Sequence, residues 1–231
     1  MIISHEHRFI FVKTRKTAGT SIEVFLARHL GPDAIVTPVK PEVDGHVPRN
    51  YDGWFNPLPQ ILHQRKVRPA LRALQRRRTF YNHIPAARIQ ERVGAKVWRD
   101  YFKFCFERDP WDKVVSWYYY RLWEAPDMPF DEFVRTQELP SDFDLYSIDG
   151  SVAMDFVGRF DHLTEDLATA MGQIGLPGPV ELTREKSGSR PKDAAAPDRF
   201  TPELDGRVAS VFAREIAEFG YEYRSQRTPE R

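Results

Sequence analysis

Apolar residues in this chain come in short dense runs separated by polar turns, and the runs obey two periods. Phe9-Ile10-Phe11-Val12 is wholly apolar, as expected of a parallel strand covered on both faces. The chain then turns abruptly polar. From Thr20 or Ser21 a helical period begins, with Ile22, Phe25, Leu26 and His29 on one face and Gly31-Pro32 as the stop. The same unit recurs later: Tyr101 to Phe106 reads as an aromatic strand, and Glu107-Arg108-Asp109-Pro110 breaks it. Asp109 has the chemistry of an N-cap and Pro110 suits the first helical position, so the pattern predicts a helix through Trp111, Val114, Val115 and Tyr118 towards Trp123.

The remaining pattern fills in a framework. Ile35-Val36 reads as a second strand, and Pro85 opens a helix running through Ile89 to Val93 and stopped by Gly94. Phe130, Phe133 and Val134 mark a short helix, and Met154 to Phe160 a strand. Leu163, Leu167, Met171 and Ile174 mark an amphipathic helix ended by Gly175 and Pro177. A final helix starts at Thr201-Pro202 and carries Leu204, Val208, Val211, Phe212 and Phe219. Strand, short polar turn and helix in repetition predict an α/β fold with a central, mainly parallel sheet and helices on both faces.

Length and composition narrow the class. A chain of 231 residues with 41% hydrophobic content supports one sizeable core, so one domain over 1–231 is expected. A net charge of +1 gives no global pull towards nucleic acid, and basic regions are judged locally. Cys105 is the only cysteine, which excludes an intrachain disulfide and a multi-cysteine metal site. The N-terminal MIISHEHRFIFV lacks a signal-like apolar region, and no uncharged stretch approaches a membrane span, so a soluble cytoplasmic protein is expected.

Candidate chemistry gathers in a few places. Between the first strand and helix lie Lys13, Arg15 and Lys16, then Thr17, Ala18 and Gly19, so cations, hydroxyls and backbone N–H groups meet at a helix N-terminus. That combination favours a phosphate or sulfate. It is not a Walker A loop, because Lys16 precedes the glycine. Arg108 is expected at the carboxyl end of its strand, beside the same crevice as Lys16, with the Ser116 hydroxyl deeper in the helix. His83, in a loop just ahead of Pro85, is placed for proton transfer.

Three further stretches bear on substrates. Tyr51, Trp54 and Phe55 lie among turn-formers, in a region suited either to a substrate-binding lid or to a surface loop pinned by its own aromatics. No acidic residue occurs from Gly53 to Gln90, while Arg65, Lys66, Arg68, Arg72 and Arg76 to Arg78 crowd an amphipathic pattern built on Val67, Ala70, Leu71 and Leu74. Its cationic face is either solvated or a docking surface for something anionic. The basic segment around Lys186 and Arg190 is a candidate flap over an anionic ligand, with a plain surface loop as the alternative.

Two of these stretches, in this order, resemble a known family. Phe11-Val12 followed by Lys16-Thr17-Ala18-Gly19-Thr20-Ser21 resembles the 5′-phosphosulfate loop of sulfotransferases that use 3′-phosphoadenosine 5′-phosphosulfate (PAPS). The run FCFERDPWDKVVSWYYY from Phe104 to Tyr120 resembles their 3′-phosphate strand and helix, in which an arginine and a serine hold that phosphate; these map onto Arg108 and Ser116. His83 before Ile84-Pro85-Ala86, the run Asp155 to Phe160 and the closing Phe219-Gly220-Tyr221 resemble the branch that includes carbohydrate sulfotransferases.

The resemblance implies a P-loop-NTPase-like three-layer fold, PAPS as co-substrate, no metal, and a carbohydrate, glycolipid or small-molecule hydroxyl as acceptor. It implies His83 as base, Lys16 on the bridging oxygen, and Thr17, Ala18, Gly19, Thr20 and Ser21 around the 5′-phosphate. Arg108 and Ser116 would then take the 3′-phosphate, with Lys186 and Arg190 covering the cofactor. Residues 33–80 match no named motif and are expected to form an acceptor-side insertion or lid, and residues 184–200 a flexible cofactor-covering loop. Two other readings compete. In a nucleotide-dependent kinase Asp109 would be a magnesium ligand and Lys16 the phosphate lysine; in a non-catalytic nucleic-acid or anionic-surface binder the basic helix would do the work.

Overall fold

The computed structural model describes residues 1–40, 42–58, 67, 79–122, 127–176, 178–182 and 200–222. The flap with Lys186 and Arg190, and the basic helix apart from Val67, lie outside the described residues. The chain divides into two compact units, one of Met1–Glu107 with Asp144–Glu185, the other of Arg108–Phe143 with Lys186–Arg231.

The first unit is built on a five-stranded sheet. Its strands are β1 (Ile2–Ser4), β2 (Phe9–Phe11), β3 (Ile35–Val36), β4 (Phe102–Glu107) and β7 (Phe156–Arg159), in the order β3-β1-β2-β4-β7. β2, β4 and β7 pair in parallel, whereas β1 pairs antiparallel with both β2 and β3. Four strands therefore point one way and β1 alone is reversed, so the sheet is mainly parallel.

β1 was not expected as a strand. Its three apolar or small residues are too short a run to carry a period, and pairing with β2 through the turn at His5 to Arg8 creates it. A small hairpin of β5 (Ser147–Ile148) and β6 (Ser151–Val152) was also missed. Its turn is Asp149-Gly150, with φ of 52° and 81°, the pair of positive values that a tight hairpin turn demands.

Strand alternation separates the two faces of the sheet. Phe9, Phe11, Phe104 and Phe106 share one cluster with Ile22, Phe25 and Leu26 of helix α1 (Gly19–Ala27) and with Leu167, Ala170 and Met171 of a later helix, Leu163–Gln173. Lys103 points to the other face, where its Nζ lies 5.6 Å from the Trp98 ring of helix α2 (Ala86–Asp100). Helices thus flank both faces. α1 is buried nearly all round rather than on one stripe, Glu23 included, so a one-sided reading of that helix was too narrow. Gly94 breaks α2 as its sequence implied, at φ 82° and ψ 161°, but the helix resumes beyond it to Asp100.

β7 is fixed by side chains of the Asp155 to Phe160 motif. The Asp155 carboxylate accepts from the Lys103 N–H at 2.8 Å and pairs with the Lys103 ammonium at 2.7 Å. Gly158 lies under the Phe106 ring, and a Cβ there would run into ring carbons.

In the second unit, α3 (Pro110–Arg121) starts at the Asp109 cap, whose side chain accepts from the Asp112 N–H at 3.0 Å. It packs with α4 (Phe130–Thr136), and the helix Leu163–Gln173 of the first unit is α5. The final helix is two, α6 (Pro202–Val211) and α7 (Ala213–Phe219), separated at Phe212 (ψ 22°) and closed by Gly220 at φ 63°. Trp111, Val114, Phe133, Val134, Leu204, Val208 and Phe212 form the unit's core. Among the described residues no helix is long and apolar enough to cross a membrane.

Candidate active site

The loop between β2 and α1 starts at the carboxyl end of the parallel strands, where open α/β sheets bind ligands. Val12 N–H donates to the Phe104 carbonyl at 2.9 Å, carrying the β2–β4 pairing one residue past the strand. The Thr14 hydroxyl then donates to the Phe106 carbonyl at 2.5 Å and sits 2.8 Å from the Thr17 hydroxyl. Both threonines are buried: the Thr14 hydroxyl staples the loop to the end of β4, and the Thr17 hydroxyl closes back on Thr14. What Thr17 offers a ligand is therefore backbone N–H rather than side chain.

The rest of the loop has the backbone of an anion cradle. Lys16 and Ala18 have φ of 59° and 57°, with Thr17 between them outside the left-handed region. Successive residues of alternating hand turn their N–H groups towards one side, a concavity that suits anions. Ala18 is the N-cap of α1, no side chain caps the helix, and no acidic residue lies in its first turn. The partial positive charge of that helix end is consequently not offset by a local carboxylate.

Gly19 is required by close approach, because a Cβ there would come within 2.8 Å of Lys13 Cγ and 3.3 Å of the Thr14 carbonyl. Lys16, Thr20 and Ala18 are partly exposed and Ser21 is buried. The donor set and the cradle fit a phosphate or phosphosulfate group.

Lys13 corrects one expectation. It was counted among cations presented by the loop, yet it is only 4% exposed and its Nζ donates to Glu23 Oε2 at 2.6 Å. Glu23, fully buried in α1, also accepts from the Met1 amine at 2.8 Å. Burial alone would raise the Glu23 pKa, but the adjacent Met1 amine and Lys13 ammonium outweigh it and hold the carboxyl down to about 2. Helical spacing gave no hint of this pair.

His83 is brought to the base of the loop. Its Nδ1 lies 3.0 Å from the Lys13 carbonyl oxygen. A carbonyl can only accept, so Nδ1 carries the proton and the neutral ring has its lone pair on Nε2, the tautomer of a general base. His83 also has φ of 56°, an uncommon conformation that costs free energy and is held by its surroundings. Next to it, Asn82 Nδ2 donates to the Pro38 carbonyl at 2.5 Å and Asn82 Oδ1 lies 3.0 Å from the Thr37 hydroxyl. Asn82 and Thr37 were not singled out from sequence, since neither stands in a motif.

Nearby, the Arg92 guanidinium stacks 4.3 Å from the Phe55 ring and 5.5 Å from the Tyr81 ring and donates to the Thr79 carbonyl. Of the aromatics in the 33–80 region, Phe55 thus serves a local stack and Trp54 is 71% exposed.

Arg108 and Ser116 belong to the second unit. Arg108 is buried, and both its Nε and an Nη reach Asp112 Oδ2 at 2.6 Å. Asp112 and Ser116, four residues apart, lie along one side of the helix, and Arg108, just ahead of the Asp109 cap, reaches back to Asp112. Asp112 orients the arginine's planar fork, a role that its position in the motif did not reveal. Asp109, considered above as a metal ligand, serves as the helix cap.

The sequence profile of the Sulfotransferase family matches residues 1–222. An uncharacterized protein of Archaeoglobus fulgidus is 39% identical over 106 residues, which make up 43% of this chain and 88% of that protein. The crystal structure of a sulfotransferase from Alicyclobacillus acidocaldarius aligns with 92% of this chain and 95% of its own, at 15% identity and a TM-score of 0.41.

Proposed function

We propose, on the premise that this chain belongs to the sulfotransferase family, that it moves a sulfuryl group from PAPS to an acceptor hydroxyl with His83 as the base. One observation carries this reading furthest: the His83 Nδ1 contact to the Lys13 carbonyl, which puts the basic nitrogen of the ring in play at the root of an anion-binding loop. The family match over residues 1–222 supports treating the chain as one sulfotransferase domain.

The roles follow from chemistry. The donor supplies an activated sulfuryl group and leaves as adenosine 3′,5′-bisphosphate. His83 Nε2 takes the acceptor's O–H proton as the new S–O bond forms, a contribution of about 10²- to 10⁴-fold for a positioned base. Lys16 stabilises charge gathering on the bridging oxygen as the old S–O bond breaks. The backbone of Thr17, Ala18, Gly19, Thr20 and Ser21 holds the 5′-phosphate, and the Thr20 and Ser21 hydroxyls add to it. Arg108, its fork set by Asp112, and Ser116 take the 3′-phosphate. ATP lacks that phosphate and leaves Arg108 without its ligand, so the same contact selects the donor. Lys186 and Arg190 are proposed to cover the donor, and the 33–80 region to select a carbohydrate, glycolipid or small-molecule hydroxyl.

The test is release of adenosine 3′,5′-bisphosphate from PAPS across a panel of sugars, glycolipids, phenols and alcohols, with magnesium chelated. Acceptor-dependent release that vanishes in His83→Ala is expected. Phosphoryl transfer from ATP with a magnesium requirement would instead establish a kinase.

A further inference from the structure

Glu23 sits at the hub of two chains of contacts that both end at His83. One runs from Glu23 Oε2 to Lys13 Nζ at 2.6 Å, and the carbonyl of that same Lys13 receives His83 Nδ1 at 3.0 Å. The other runs from Glu23 Oε1 to the Thr37 hydroxyl at 2.7 Å and on to Asn82 Oδ1 at 3.0 Å, and Asn82 is the residue before His83. The Thr37 hydroxyl has one proton to share among these two oxygens and the Met1 carbonyl at 3.2 Å, and it accepts from the Met1 amine at 2.6 Å, while Asn82 Nδ2 is committed to the Pro38 carbonyl. Lys13 also runs under Gly19, close enough to exclude a Cβ. A buried ion pair is weak evidence for stability, since desolvating both charges costs about as much as their attraction returns. Its more specific consequence is geometric.

We propose that Glu23 is a positioning residue for His83: through Lys13 on one side and Thr37 with Asn82 on the other, it holds the imidazole on the Lys13 carbonyl and so keeps Nε2 as the basic nitrogen. Catalytic contact stays with His83, and Glu23 acts only through its neighbours. This inference rests on the reading of His83 as base.

The experiment compares wild type, Glu23→Gln and Thr37→Val in two ways. Long-range ¹⁵N–¹H spectra of the histidine rings, with His83 assigned from His83→Gln, report which ring nitrogen carries the proton. Steady-state kinetics with PAPS separate kcat from the donor KM, and calorimetry gives the bisphosphate affinity. Wild type is expected to show a single Nδ1–H tautomer for His83. Both variants are expected to show a mixture, with kcat lower by about 10- to 100-fold, the cost of a misplaced reacting group; in Thr37→Val, which leaves Lys13 fixed under Gly19, donor KM and bisphosphate affinity are expected to stay unchanged.

A folded variant in which either the tautomer or kcat keeps its wild-type value overturns the proposal, as does an Nε2–H tautomer in wild type. Should Glu23→Gln fail to fold, Thr37→Val decides alone, because it leaves the Lys13–Glu23 pair in place. A wild-type Nδ1–H tautomer that becomes mixed in the variants, in a protein that transfers no sulfuryl group, would leave the positioning network standing and defeat the proposed reaction instead.

Discussion

At the scale of single residues, the site depends on backbone conformations that side-chain chemistry alone would not choose. Lys16, Ala18 and His83 all lie at positive φ without being glycine. Each costs on the order of 1–3 kcal/mol and persists because its surroundings over-determine it. Two predictions belong here. Gly19→Ala places a methyl against a Lys13 chain that cannot retreat, since its far end is fixed on Glu23. A loss of about 1–3 kcal/mol is expected in denaturant unfolding, together with weakened bisphosphate binding. The second concerns acid.

The folded pKa of Glu23 lies below its ordinary value of 4.5, at about 2, so the unfolded chain binds the extra proton. Its contribution to stability is present above about pH 4.5 and is lost as pH falls towards about 2, on the order of 3 kcal/mol. Unfolding midpoints measured from pH 7 down to 2 should show that slope in wild type and a shallower one in Glu23→Gln. Of these residues, the loop from Lys16 to Ser21 stood out in the sequence because a short run of cation, small residues and hydroxyls is itself a local signal, and His83 stood out by its place just ahead of Pro85. The Lys13–Glu23–Thr37–Asn82 network could not, because its members are brought together only by the fold.

At the scale of elements, the two strand–turn–helix units predicted from hydrophobic runs are present, with Asp109 and Pro110 starting α3 as their chemistry required. These runs were legible because they are long, apolar and punctuated. β1, by contrast, owes its existence to partners, and the division of the final helix at Phe212 follows from backbone geometry that no proline or glycine announces. The Asp155 to Phe160 stretch was legible as a strand from its apolar pattern, but what its aspartate and glycine do was not. Its aspartate ties β7 to β4, and its glycine makes room for the Phe106 ring.

Gly158→Ala should therefore destabilise the first unit by about 1–3 kcal/mol through overpacking, read as a lower denaturant midpoint. An unchanged midpoint would mean that β7 does not lie under Phe106. Because Phe106 also carries the carbonyl that receives Thr14, the same variant is expected to loosen the cradle and lower donor affinity.

At the scale of the whole molecule, the candidate residues lie far apart in sequence and in two units: the cradle and His83 in one, Arg108 and Ser116 in the other. In the proposed function the 3′-phosphate distinguishes the donor from common nucleotides, and Arg108 recognises it. The most direct test is calorimetric titration of wild type and Arg108→Ala with adenosine 3′,5′-bisphosphate, AMP and ATP. The account predicts tight binding of the bisphosphate by wild type, much weaker binding of AMP and ATP, and loss in the variant of about 1.5–3 kcal/mol, the worth of a charge-assisted contact. ATP binding as well as or better than the bisphosphate, or a bisphosphate affinity indifferent to Arg108→Ala, would contradict it.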